Sequence, residues 1–131
     1  LAPTVNSGYA FEAVPDRADA LRTSAATNQY DNISVVTGIV GRDIDLREYP
    51  SPNLVLMDIE GFEYEVLSQN EWLLDTDVTL VIELHDEAAA VPEGTEPDVS
   101  PDGVVNLLEA SGFDVDEVND KRPPHIIARK R

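Results

Sequence analysis

The chain has 131 residues and sets 26 acidic side chains against 9 basic ones, a net charge of −17. Hydrophobic residues make up 42%, so the charge does not mark a disordered chain, and a length of this order forms one domain that buries roughly two-thirds of its surface. An acidic surface with only two lysines, Lys121 and Lys130, argues against nucleic-acid backbone and anionic membrane as partners, because both would be repelled, and the absence of cysteine excludes disulfides, thiolate zinc sites and cysteine nucleophiles.

Along the chain, strand signals alternate with helix signals. Residues 7–13 (SGYAFEA) place Tyr9, Ala10 and Phe11 ahead of Glu12. VPDRADALRTSAATN follows, with Pro15 near a helix start, Asp16 and Asp19 in the first turns, and Ala18, Leu21, Arg22 and Ala25 at helical spacing. An acid that ends a strand just before a helix occupies the position that grips ribose hydroxyls in nucleotide-binding folds, because a carboxylate accepts two hydrogen bonds from a vicinal diol. Glu12 is therefore a candidate, against the plainer reading of a solvated strand end.

Residues 33–40 (ISVVTGIV) read as the next strand, rich in β-branched side chains. Gly38 inside it signals a bulge or a close backbone approach, and Gly41 ends it. GRDIDLREYPSP has too little periodicity for a regular element. In a nucleoside-binding sheet the loop after this strand lies over the base, which makes Arg42 and Asp43 candidates; a solvated loop is the competing reading.

The chain is organised around residues 53–67, NLVLMDIEGFEYEVL. Four apolar residues after a Ser-Pro-Asn turn predict a strand buried on both faces, as in a parallel sheet. Asp58 and Glu60 share parity, so an extended chain points both to one side at the carboxyl end of the strand, where open α/β sheets bind ligands. The competing reading is that one of these acids caps the helix that follows. That helix is expected over Gly61–Leu74, with Phe62, Val66 and Leu67 inward, Trp72 and Leu73 extending the apolar patch, and Glu63 and Glu65 on the exposed side or at the helix start.

VTLVIEL (78–84) is another apolar strand, ending in Glu83 and His85, again of one parity. If the two strands are parallel neighbours, Asp58, Glu60, Glu83 and His85 converge at one sheet edge. A lone histidine is usually structural; one at a strand end beside three carboxylates is a candidate for proton transfer. Residues 86–99 are acidic and proline-bearing, a connection long enough for a lid. Ser100-Pro101 opens a helix with Val104, Val105, Leu107 and Leu108 inward and Gly112 as its stop. FDVDEV and HIIARK, joined by a short turn, predict an antiparallel pair at one sheet edge.

The order AFEAVP, ISVVTGIVG, LVLMDIEGFEYEVL, LVIELHD, then a helix and SGFDV, resembles the FkbM family of S-adenosylmethionine-dependent methyltransferases over most of the chain. DIEGFEYEVL followed by IELH is the specific part. The resemblance implies an α/β fold, the Rossmann-like methyltransferase sheet, mostly parallel with an antiparallel C-terminal strand. It implies S-adenosylmethionine as cofactor and methyl transfer to a hydroxyl of a small molecule or sugar. It assigns Glu12 to the ribose and Asp58 to the methionine part and the substrate.

One departure accompanies the match. Such folds begin with a strand and a glycine-rich loop, and none precedes SGYAFE; LAPTVN looks like the tail of the helix that should follow, and the first residue is Leu. A first strand, loop and most of a helix, ~30 residues of a βαβ unit, are expected upstream. The family order sets that strand between those ending at Glu12 and Asp58, so its loss exposes two ladder edges and invites self-association. Residues 1–131 are then a single incomplete domain, not expected to bind the cofactor appreciably alone.

In methyl transfer a base takes the hydroxyl proton: His85 suits by its pKa, and Glu60 or Glu83 if desolvated. A divalent ion on Asp58, Glu60 and Glu83, with His85 as an optional further ligand, is another arrangement, which nothing in the spacing requires, and no metal ligands are assigned. A non-catalytic assembly module, derived from such a domain, is the reading from a different class. No apolar run approaches the ~20 residues of a membrane span and neither a signal nor a transit peptide opens the chain, so a cytoplasmic protein is expected. Acids spread along the whole length suggest adaptation to high salt. Asn32-Ile33-Ser34 matches a glycosylation sequon and is discounted in that setting.

Overall fold

Among the described residues, the apolar runs 9–11, 33–36, 54–57 and 78–82 contribute to strands, and Pro15, Pro101 and Gly112 mark helix ends. In the computed structural model, residues 5–87, 98–118 and 123–131 are described; the chain divides into two compact units, Leu1–Tyr49 and Pro50–Arg131.

In the first unit, strand β1 (Gly8–Glu12) pairs in parallel with β2 (Ile33–Thr37), Glu12 opposite Thr37. Helix α1 (Pro15–Thr27) crosses between them, with Pro15 in its first turn and Asp16 favoured there by the helix dipole. It ends in a Schellman arrangement: the Tyr30 N–H donates to the Ala25 carbonyl, the Gln29 N–H donates to that of Ala26, and Gln29 takes φ 56°. Arg22 fastens α1 to β2 by donating to the Val35 carbonyl and the Thr37 hydroxyl. Tyr9 and Phe11, on one face of β1, stack against each other and meet Tyr49 edge-on. Gly38 follows β2 with φ 150°; a Cβ there would lie 3.1 Å from that of Asp43, so the expected close approach is present. The stretch expected to be irregular holds a 3-10 turn, Leu46–Glu48, capped by the Asp45 carboxylate on the Arg47 N–H.

In the second unit a four-stranded sheet runs in the order β3 (Leu54–Met57), β4 (Thr79–Glu83), β6 (His125–Lys130), β5 (Phe113–Glu117). β3 and β4 are parallel; β6 is antiparallel to both its neighbours. The last two strands form the expected antiparallel pair, with β5 at the edge. Met57, Leu80, Ile82, Ala128, Ile126 and Phe113 from the strands and Val66, Leu67, Leu73, Leu74, Val104 and Leu108 from the helices are buried and form the core of this unit.

Two expectations change here. β3 is buried on one face only: Leu54 is 37% and Leu56 56% exposed. Alternation places these two opposite the helix-covered face, and β3 is an edge strand, so the apolar run does not mean burial on both sides. The single helix over 61–74 is two, α2 (Glu63–Gln69) and α3 (Glu71–Leu74). The Asn70 side chain donates to the Val66 carbonyl that its own N–H would take, and that N–H turns to Leu67 instead. An asparagine side chain competing with the backbone in this way breaks a helix.

Helix α4 (Pro101–Ala110) starts as expected, the Ser100 hydroxyl accepting from the Gly103 N–H, and stops before Gly112. Val104 and Leu108 are buried, while Val105 and Leu107 are half-buried. The proposed lid (86–99), the turn 119–122 and the start of LAPTVN lie wholly or partly outside the described residues.

Candidate active site

The carboxyl ends of parallel strands β3 and β4 bring chemistry together in the second unit. Past Met57 the chain turns sharply: the Phe62 N–H donates to the Ile59 carbonyl, with φ 57° at Glu60 and 103° at Gly61. Positive φ at both central positions is the signature of a type I′ turn. Gly61 adopts it without strain; Glu60, with a Cβ, does not. Extended parity therefore does not govern Glu60, which reaches the site through the turn rather than along a strand.

His85 stands at the centre, its side chain 12% exposed. Its Nδ1 lies 2.8 Å from Glu63 Oε1, and the same carboxylate accepts from the Gly61 N–H at 3.2 Å. Its Nε2 faces Asp58 Oδ1 at 3.7 Å, Glu60 Oε2 at 3.6 Å and Glu83 Oε1 at 3.8 Å. The other Glu83 oxygen lies 3.1 Å from Nε2 of His125, its register partner on β6. Burial alone would lower the His85 pKa. The bond to Glu63 and the charges of Glu63, Glu60 and Asp58 outweigh it, and the net shift is upward.

Asp58, Glu60, Glu83 and His85, named from the sequence, thus stand side by side. Glu63 differs from expectation: it opens α2, as one reading had it, but is 3% exposed and holds the histidine. Its spacing alone did not separate it from Glu65. His125 was missed because its place depends on the β4–β6 register, which no local signal reveals.

In the first unit, Glu12 ends β1 as expected. One of its oxygens accepts from the Val14 N–H at the start of α1, so the plainer reading needs amending: it is a helix-start acceptor as well as a strand end. Asp43 closes the loop on itself, Oδ2 accepting from the Ile39 N–H at 3.0 Å and Oδ1 from Arg42 Nε at 3.2 Å. The Ile39 N–H and then the Arg42 guanidinium hold its carboxyl below the usual range. A depression of about 440 Å³ beside α1 and β2, lined by Arg22, Tyr30 and Val35 among others, holds none of the residues expected to act. No helix among the described residues is long and apolar enough to cross a membrane.

No curated protein matches the chain. Among solved structures it is similar to a precorrin-6y C5,15-methyltransferase from Geobacter metallireducens GS-15, with a TM-score of 0.64 at 19% identity. The match covers 94% of this chain and 66% of that one, so the chain spans just under two-thirds of its length. At that identity the likeness is one of fold, and the fold is the Rossmann-like methyltransferase α/β fold with mixed sheets. Residues 2–115 match the methyltransferase FkbM domain, and the chain belongs to the FkbM family of S-adenosylmethionine-dependent methyltransferases.

Proposed function

We propose that the chain serves methyl transfer from S-adenosylmethionine to a hydroxyl oxygen of a small molecule or sugar. The observation that carries this is the His85 imidazole, oriented by buried Glu63 and ringed by Asp58, Glu60 and Glu83 at the carboxyl ends of parallel strands. A hydroxyl acceptor needs a proton acceptor beside it, and an imidazole whose Nδ1–H is held by a carboxylate offers Nε2 for that purpose. The Glu60 carboxylate is the second group able to take the proton. Asp58, 65% exposed, suits the amino group of a methionine moiety or an acceptor hydroxyl. Glu12 keeps one oxygen beyond its helix-start bond, which suits a ribose hydroxyl. The Asp43 carboxylate is engaged within its loop, so its contribution to the cofactor is to shape the backbone there. When bound, S-adenosylmethionine supplies a methyl group activated on a sulfonium.

The acidic, lysine-poor surface supports the further reading of a cytoplasmic protein adapted to high salt, with no nucleic-acid or membrane partner. The exposed edge strand β3 supports self-association.

The test is transfer of a labelled methyl group to a panel of sugars and small alcohols by the full-length protein. His85→Ala is expected to lower kcat by 10²-fold or more, the usual scale of a lost general base. Glu12→Ala should weaken cofactor binding by about 10- to 100-fold, the scale of a hydrogen bond to a charged group. Absence of both cofactor binding and methyl transfer would favour the non-catalytic assembly module, which has lost cofactor binding.

A further inference from the structure

The contacts of His85 pose a question of charge. Glu63 is 3% exposed and its carboxylate can only accept hydrogen bonds, so the 2.8 Å contact places the imidazole proton on Nδ1. In the neutral ring Nε2 then carries a lone pair, and it points at three carboxylate oxygens that carry lone pairs as well. A cation held between them would relieve the repulsion among those lone pairs.

A proton on Nε2 is favoured by the surrounding charges but meets no oxygen at hydrogen-bond length. Charge-assisted hydrogen bonds between nitrogen and carboxylate are about 2.7–2.9 Å long. The three oxygens instead stand at 3.6, 3.7 and 3.8 Å, and among the described residues Nε2 has no hydrogen bond. One proton directed at one oxygen does not explain three nearly equal, uniformly long separations. Neighbouring ligands on an ion with bonds of about 2.0–2.4 Å stand roughly 3–3.5 Å apart, and the separations of His85 Nε2 from Asp58 Oδ1 and Glu83 Oε1 exceed that spacing by a few tenths of an ångström. One ligand atom each from Asp58, Glu83 and His85 already lies within 4.8 Å of the others.

We propose that Asp58, Glu83 and His85 bind a divalent cation, and that Glu63 is the positioning residue that holds His85 for it. The Glu63–His85 pair is the arrangement that fixes tautomer and orientation in metal-ligating histidines. His125 does for Glu83 what Glu63 does for His85: it engages one carboxylate oxygen and leaves the other facing the site. Carboxylates suit Mn²⁺ and the imidazole suits Zn²⁺, so this mixed donor set is compatible with either ion.

The role of the ion rests on the methyl-transfer reading, whereas its binding does not. Bound there, it would hold the acceptor hydroxyl and favour loss of its proton. With Nε2 engaged as a ligand, that proton passes to a carboxylate, for which Glu60 is placed.

The experiment is calorimetric titration of Mn²⁺ into the metal-stripped full-length protein in high salt, without cofactor or acceptor, together with Mn²⁺ broadening of the His85 ring-proton NMR signals. Saturable one-site binding at micromolar Kd is expected, with selective broadening at His85. His85→Ala and Asp58→Asn should each weaken binding by 10-fold or more, while Glu109→Gln, an exposed acid on α4, should leave it unchanged. Asp58 is well exposed, so Asp58→Asn tests the site even where His85→Ala fails to fold. Binding that ignores Asp58→Asn, or broadening spread evenly over the acidic surface, overturns the proposal. Failure of methyl transfer with Mn²⁺ still bound at His85 would count against the enzymatic reading alone.

Discussion

The carboxylate of Glu63 and the imidazole of His85 meet 2.8 Å apart, one at the first turn of α2 and the other just past the end of β4. Neither is free to turn away. Glu63 is held by the Gly61 N–H as well, and His85 is nearly buried. The pair decides which ring nitrogen faces the acids and sets how the site responds to pH.

In chelating buffer the His85 pKa lies above its ordinary value of 6.5. Glu63 on α2, Asp58 and Glu60 after β3, and Glu83 on β4 face it. A pKa raised on folding contributes stability that is fully present below the unfolded value and is lost as pH rises through the folded one. The metal-free protein should therefore lose stability as pH climbs past neutrality. Glu63→Gln keeps an acceptor but removes the charge, so the His85 pKa should fall and this loss should shrink. Ring-proton NMR titration and melting curves from pH 5 to 9 check both; an unmoved pKa would show that the Glu63 charge does not govern the ring.

Gln29 and Glu60 both hold left-handed φ without being glycine. That conformation costs a residue with a Cβ about 1–2 kcal/mol, partly offset in glycine by its greater unfolded entropy. Gln29→Gly and Glu60→Gly should each stabilise the protein by roughly 1 kcal/mol in urea titrations. Only Glu60→Gly should also impair the site. Strain kept at Glu60 is what a functional turn tolerates; at Gln29 it ends a helix.

A net charge of −17 repels itself in dilute buffer and is screened in concentrated salt. The melting midpoint should rise between about 0.1 M and about 2 M KCl. A flat response would remove the high-salt reading.

Lys130 donates through Nζ to the carbonyls of Leu74 and Ser111 and lies 4.8 Å from the centroid of the Phe113 ring. Lys130→Met keeps most of the side-chain bulk but leaves two partly buried carbonyls without this donor. A loss of about 1–3 kcal/mol is expected, read from chemical denaturation.

Parallel neighbours β3 and β4 were legible because each is a short apolar run ending in two acids or an acid and a histidine. Cap signals at Pro15, Ser100-Pro101 and Gly112 set helix ends correctly, being local chemistry. The break at Asn70 was not legible, since an asparagine in a helical pattern does not say whether its amide will turn onto its own helix. The exposure of Leu56 was hidden because an apolar run is the same at a sheet edge as at its centre. Glu63 looked like an ordinary acid at a helix start; only the partner strand, bringing His85 beside it, gave it a different task.

Burial is shared unequally between the units. Among the described residues, Ala18 and Ile44 are the only buried apolar side chains of Leu1–Tyr49, while the rest of the core belongs to Pro50–Arg131. Two paired strands and a helix over so little buried area have a small local opening free energy. Amide hydrogen exchange should therefore fall into two tiers. Protons of β1, β2 and α1 should exchange through local opening, with protection nearly independent of denaturant. Those of β4 and β6 should exchange only through global unfolding. A ligand gripped by Glu12 would then announce itself as slowed exchange throughout the first tier, well before any product is measured.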